Sequence, residues 1–118
     1  MIRLYNKIKA LRPVLLILIL IPVFFTVAGV IEQPPKSERQ QQLRQVLAQQ
    51  CSVCHGKSLQ GDVGPALNAK TLAGKNEELL VATILEGRDG TVMPSWEWML
   101  QENDARWLVR FLRSGQKI

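Results

Sequence analysis

The sequence predicts an all-α fold, three helices joined by loops that are long for the size of the domain. Beyond residue 31, apolar residues recur at helical spacing in three stretches, no stretch alternates in the manner of a strand, and glycine-bearing segments separate the helical ones. No internal repeat interrupts this order.

The first element lies ahead of those helices. Met1 to Arg12 carries Arg3, Lys7, Lys9 and Arg12 and no acidic residue, and Pro13 to Ile31 then runs without a charge. As a helix, that apolar run spans about 28 Å, close to the hydrocarbon thickness of a bilayer. Residues 1–31 therefore read as a hydrophobic targeting helix, with its N-terminus in the cytoplasm and everything from Glu32 onward on the periplasmic side. Length favours a retained membrane anchor. Small residues at Thr26-Val27-Ala28 and a central Pro22 favour a cleaved signal peptide, and both readings stand.

Residues 32–37, with Pro34 and Pro35, read as an extended linker, and residues 38–118 as the folded domain. Ser37 with Gln40 has the spacing of a capping box, and Leu43, Val46 and Leu47 follow at helical spacing, which predicts a first helix over about 38–50. It leads directly into Cys51. From Gly56 to Gly74 four glycines and Pro65 lie among polar residues, so this stretch reads as a long loop. Asn76, Glu77 and Glu78 start a second helix, whose apolar face of Leu79, Leu80, Thr83 and Ile84 ends at Gly87. A second loop passes through Met93-Pro94. The last helix, about Glu102 to Arg113, places Trp107, Leu108, Phe111 and Leu112 on one face.

Composition narrows the function. The chain has 118 residues, 47% hydrophobic and 21% charged, a formal net charge of +5, two cysteines and one histidine. Past residue 31, eleven basic residues face ten acidic ones, so the basicity belongs to the leader and no nucleic-acid footprint remains. Two cysteines are too few for a disulfide scaffold, a cysteine-only zinc site or an iron–sulfur cluster. Yet a domain this small, with two long loops, buries too little apolar surface to order them alone, and a bulky cofactor serving as part of the core would solve that problem.

Cys51-Ser52-Val53-Cys54-His55 supplies the means. Two thiols three residues apart at a helix end can each reach one vinyl group of a porphyrin, and the adjacent histidine then falls beneath the iron. The same five residues also suit a Cys-x-x-Cys redox pair, which would want a βαβ setting, or part of a zinc site short of donors. His55 is the only histidine, so a second iron ligand falls to a methionine, Met93 or Met99.

On this motif the sequence resembles the class I c-type cytochromes. The resemblance implies a three-helix domain wrapped around one covalently bound haem c, attached through Cys51 and Cys54 and ligated by His55. It implies that Met93, in Thr91-Val92-Met93-Pro94, is the distal ligand, and that the carbonyl of Pro65, in Gly64-Pro65, accepts the proximal imidazole N–H. It also implies that the first and last helices cross, with Leu43 and Leu47 against Trp107, Leu108 and Phe111, and that Trp96 lies near a propionate or covers the haem. Cys-x-x-Cys-His-Gly, Leu59-Gln60-Gly61, Gly64-Pro65-Ala66-Leu67, Thr83 to Gly87 and Thr91 to Trp96 are similar, more narrowly, to the small monohaem cytochromes encoded with haem-cd nitrite reductase in denitrifying bacteria. The expected function is single-electron transfer, not catalysis, from a membrane quinol-oxidising complex or another donor to a periplasmic reductase or oxidase. Lys57, Lys70 and Lys75 are candidates for steering an acidic partner. The alternatives are a haem enzyme or sensor with a displaceable distal ligand, and a redox partner in d-type haem maturation.

Overall fold

The computed structural model describes residues 33–118. The expected hydrophobic helix of residues 1–31 lies outside these residues, and among the described residues no helix is long and apolar enough to cross a membrane. Also among the described residues, every regular element is helical.

Helix α1 spans Ser37–Val46. It continues through a π-turn, Leu47–Cys51, in which the Ser52 N–H reaches back to the Leu47 carbonyl, and then through α2, Ser52–His55. The chain is thus helical up to the histidine of the motif, five residues past the predicted end. It stops at Gly56, whose φ of +83° favours glycine. The expected Ser37 capping box is absent: Lys36 holds the N-cap position without a side-chain bond, Ser37 is already helical, and the Gln40 amide donates to the Pro35 carbonyl instead (2.8 Å).

The predicted loop from Gly56 to Gly74 contains a short helix, α3, Ala69–Leu72. Asn68 starts it by accepting the Thr71 N–H (2.9 Å) and also donates to the Gln60 side chain (2.9 Å), so one asparagine fixes both the helix start and the preceding bend. Helix α4, Glu77–Glu86, starts as expected, with the Asn76 side chain accepting the Leu79 N–H (3.0 Å). Helix α5, Glu102–Arg113, has the predicted bounds. Its cap is a pairing of Gln101 with Asp104 that the sequence reading did not identify.

Leu43, Leu47, Leu59, Leu72, Leu100, Leu108, Phe111 and Leu112 form the main core, and Trp107 packs against it. The expected meeting of α1 with α5 is therefore present. Arg39 of α1 clamps Asp104 of α5 with two bonds (3.1 and 2.7 Å), and Arg44 lies 5.2 Å over the Phe111 ring, which stacks on Trp107. On the other side of α5, buried Arg106 bonds to Glu78 (2.5 and 2.8 Å) and Glu102 (2.6 Å), tying α5 to the start of α4. Glu77 joins Arg110 (2.8 Å) to the same network.

Candidate functional site

The site begins where α2 ends. The last carbonyls of a helix have no partner within it, and here the following loop folds back to supply them. Gly64 N–H donates to the Cys54 carbonyl (2.7 Å), Gly61 N–H to the His55 carbonyl (2.9 Å) and Leu59 N–H to the Gly56 carbonyl (2.8 Å). The fold-back is tight enough that a Cβ on Gly56 would meet the Gly61 oxygen at 2.9 Å. It also bends Leu59 into the left-handed region, φ +57°, while burying its side chain in the core. Core burial holds a backbone conformation that leucine disfavours.

That fold-back presses the loop against His55. His55 is 8% exposed, and a Cβ on Gly64 would lie 2.8 Å from its Cε1 and 2.9 Å from its Nδ1. Nδ1 sits 2.6 Å from the Pro65 carbonyl oxygen. A carbonyl only accepts, so Nδ1 carries a proton, and it is Nε2 that is left to ligate. The arrangement is that of a metal-ligating histidine whose far nitrogen is fixed by a backbone acceptor.

Cys51 and Cys54 are free and partly buried, not joined in a disulfide. Cys51 packs against the main core, and burial pushes its thiol up to about 11. A redox pair works through a stabilised thiolate, and Cys51 has the opposite environment. Among the described residues no group of three or more His, Cys, Asp or Glu side chains is arranged to hold a metal ion, so the zinc alternative finds no donor set.

Met93 lies on the loop between α4 and α5, half-buried. The Arg88 N–H donates to the Met93 carbonyl (3.2 Å), and the Thr91 N–H closes the turn on the Arg88 carbonyl (3.1 Å). Beyond it, Ser95 Oγ donates to the Leu85 carbonyl (2.6 Å), and the Trp96 and Glu97 N–H groups share the same oxygen (3.1 and 3.2 Å). Gly87 makes this strap possible: a Cβ there would strike the Pro94 carbon at 2.7 Å and the Met93 oxygen at 2.8 Å. Met99 differs, since it packs against the main core and its carbonyl accepts from Arg39 (3.0 Å).

These residues fit a haem. Leu67, Leu80, Ile84, Leu85, Trp96 and Met99 pack on the core yet keep part of their apolar surface uncovered, and the donor set is two thiols, one imidazole with a fixed tautomer, and a thioether on a braced loop. Sequence reasoning named the cysteines, His55, Pro65 and Met93; the structure brings the Pro65 carbonyl to the His55 ring and sets Met93 on the loop between α4 and α5. Sequence reasoning missed the roles of Gly64, Gly87 and Asn68, for which the only sequence signal was a glycine or asparagine in a loop.

Helices packed around a Cys-x-x-Cys-His terminus define a haem-carrying domain of the c type. Residues 38–112 match the family described as cytochrome C oxidase, cbb3-type, subunit III, and the chain belongs to this family of cytochrome c domains. It is similar to cytochrome c55X of Pseudomonas aeruginosa, 49% identical over 88 residues that cover 75% of this chain and 74% of the relative. Cytochrome c55X of Stutzerimonas stutzeri is 46% identical over 81 residues (69% and 72% covered). That of Paracoccus denitrificans is 43% identical over 79 residues (67% and 77% covered). A solved structure of a c-type cytochrome NirC superimposes with a TM-score of 0.68 at 50% identity, covering 70% of this chain and 96% of that one. The chain is accordingly an electron carrier and not an enzyme, and its cofactor is one covalent haem c.

Proposed function

We propose that the chain is a periplasmic-side single-electron carrier whose haem c is attached through Cys51 and Cys54 and held between His55 and Met93. The observation that carries this reading is the 2.6 Å bond from His55 Nδ1 to the Pro65 carbonyl, with Gly64 closed against the ring. The haem supplies a reversible one-electron change at its iron. The chain sets the conditions for it. Donation from Nδ1 to Pro65 raises the basicity of Nε2 and stops the ring from turning. The Met93 thioether, soft and uncharged, would favour the ferrous state and raise the potential, and with His55 it would leave no position for a substrate.

Similarity to the cytochromes c55X and NirC supports delivery of electrons to a nitrite reductase or another respiratory terminal enzyme, with a membrane quinol-oxidising complex or another donor upstream. The charge pattern of residues 1–31 supports a location on the periplasmic side of the cytoplasmic membrane, as an anchored or a processed chain. Exposed Lys57, Lys70 and Lys75 suit an acidic partner.

Intact mass of the purified mature chain tests the cofactor and the leader together: one haem above the polypeptide is expected, and a mass equal to the polypeptide alone would sink the reading. For ligation, Met93→Ala is expected to abolish the weak red absorption of ferric iron–thioether, lower the potential and admit cyanide rapidly. Met99→Ala is expected to do none of these. The reverse result would overturn the ligand assignment, and a wild-type ferric spectrum that is high-spin would show that no methionine closes the second ligand position.

A further inference from the structure

Trp98 leaves 74% of its surface in solvent, the largest fraction for any big apolar side chain among the described residues, and Val92, next to Met93, leaves 70%. Trp98 is not a loose end. Its ring stacks on Trp96 at 6.3 Å between centroids, and Trp96 packs on the main core. The backbone on its N-terminal side is strapped to the end of α4 by the Trp96 and Glu97 N–H bonds to the Leu85 carbonyl. Exposed carboxylates occupy the same strapped segments: Glu86 ends α4, Asp89 follows in the loop that closes on Met93, and Glu97 adjoins Trp98. None of the three belongs to the ion pairs around Asp104 or Glu77, and Arg88 is the one basic residue between Glu86 and Trp98.

An indole held in water by a stacked neighbour, with exposed carboxylates on the segments strapped beside it, suits one kind of surface, an apolar centre with a basic rim. We infer that Trp98, with Val92 and the carboxylates of Glu86, Asp89 and Glu97, is the docking surface for a redox partner that presents lysine or arginine side chains around an apolar centre. The inference rests on the electron-carrier reading and places one partner at the loop that bears Met93. Lys57, Lys70 and Lys75 carry the opposite sign, so a carrier that must meet a donor and an acceptor has a separate attraction for each.

The full haem-loaded protein tests this with defined probes. Reduced methyl viologen, a flat aromatic radical cation, gives one electron to the ferric protein and becomes the dication; hexaammineruthenium(II) does the same as a compact cation without an aromatic face. Trp98→Ala is expected to slow the viologen reaction about two- to fivefold, the loss of one exposed cation–aromatic contact. It should leave the ruthenium rate, the absorption spectrum and the potential unchanged. A Glu86→Gln, Asp89→Asn, Glu97→Gln variant is expected to slow both reagents at low ionic strength and to match wild type in high salt. A synthetic peptide of lysines around one phenylalanine should slow the viologen reaction of wild type but not of Trp98→Ala. A shifted spectrum or potential in Trp98→Ala would show that Trp98 covers the haem instead. Charge variants or a peptide without effect would remove the docking surface. A chain that carries no haem by mass would fail the carrier reading itself, so the two failures are distinct.

Discussion

Gly64 carries no side chain because the His55 ring occupies the space where one would be, 2.8 Å from the built Cβ. Gly64→Ala must therefore tilt the imidazole or move the loop, and either change lengthens the bond to Pro65. The His55 imidazole proton is expected to exchange with solvent about tenfold faster in that variant, the equivalent of one weakened hydrogen bond. Proton NMR of the reduced protein reads this directly, and unchanged exchange would show that the loop yields without disturbing the ring. Single residues were the most legible scale where one short motif holds them: Cys51, Cys54 and His55 were named from a five-residue stretch, and the structure sets all three where the first helical run ends. Gly64 was not legible in the same way. Its requirement comes from a ring nine positions earlier that only the fold-back of the loop brings near.

Asp104 illustrates the scale of the element, because it serves two at once. Its carboxylate accepts the Gln101 N–H (3.1 Å) at the start of α5 and both bonds from Arg39 of α1. Burial alone would push this carboxyl up; the Arg39 and Gln101 hydrogen bonds and the guanidinium charge outweigh it and hold it below its ordinary range. With the native value depressed, the stabilisation is complete above the unfolded value near 4. It is lost as pH falls through the lower native value. Asp104→Asn is expected to cost about 2 kcal/mol at neutral pH. It should also flatten the fall in urea stability on acidification, whereas equal pH slopes in variant and wild type would contradict the role. Asn76→Ala, which removes the cap of α4, should cost about 1 kcal/mol at every pH by the same measurement. Elements were legible where the apolar period is sustained, in α4 together with its Asn76 cap and in α5 without its cap. The Ser37 cap was read wrongly because Gln40 finds a better acceptor in Pro35, and α3 was missed because four residues hold no period.

For the whole molecule, the main core draws on α1, the π-turn, α3 and α5 among the described residues, and Leu67, Leu80, Ile84, Leu85, Trp96 and Met99 pack on it while remaining only partly covered by protein. A domain of this size has little stability in reserve. The Cys51→Ala, Cys54→Ala variant, unable to attach haem, is expected to keep most of its far-ultraviolet helical signal and to lose the near-ultraviolet signal of fixed aromatic side chains. Cooperative unfolding at the wild-type temperature would show that the polypeptide packs by itself. The fold class followed from periodicity and the demand for a cofactor from loop length against core size. The strap that braces Met93 depends on backbone bonds between residues 85 and 97, and no local pattern encodes them.

The π-turn at Leu47–Cys51 has a further consequence. A turn wound with i to i+5 bonds contains one residue more than ordinary helical pitch requires, so the rod holds slack just ahead of the attachment motif. Removing exposed Gln49 would let this turn tighten to normal pitch while Leu43 and His55 keep their bearings, whereas the same deletion within Ser37–Val46 would swivel one end against the other. The chain can thus shorten here by one link without losing its grip on either side.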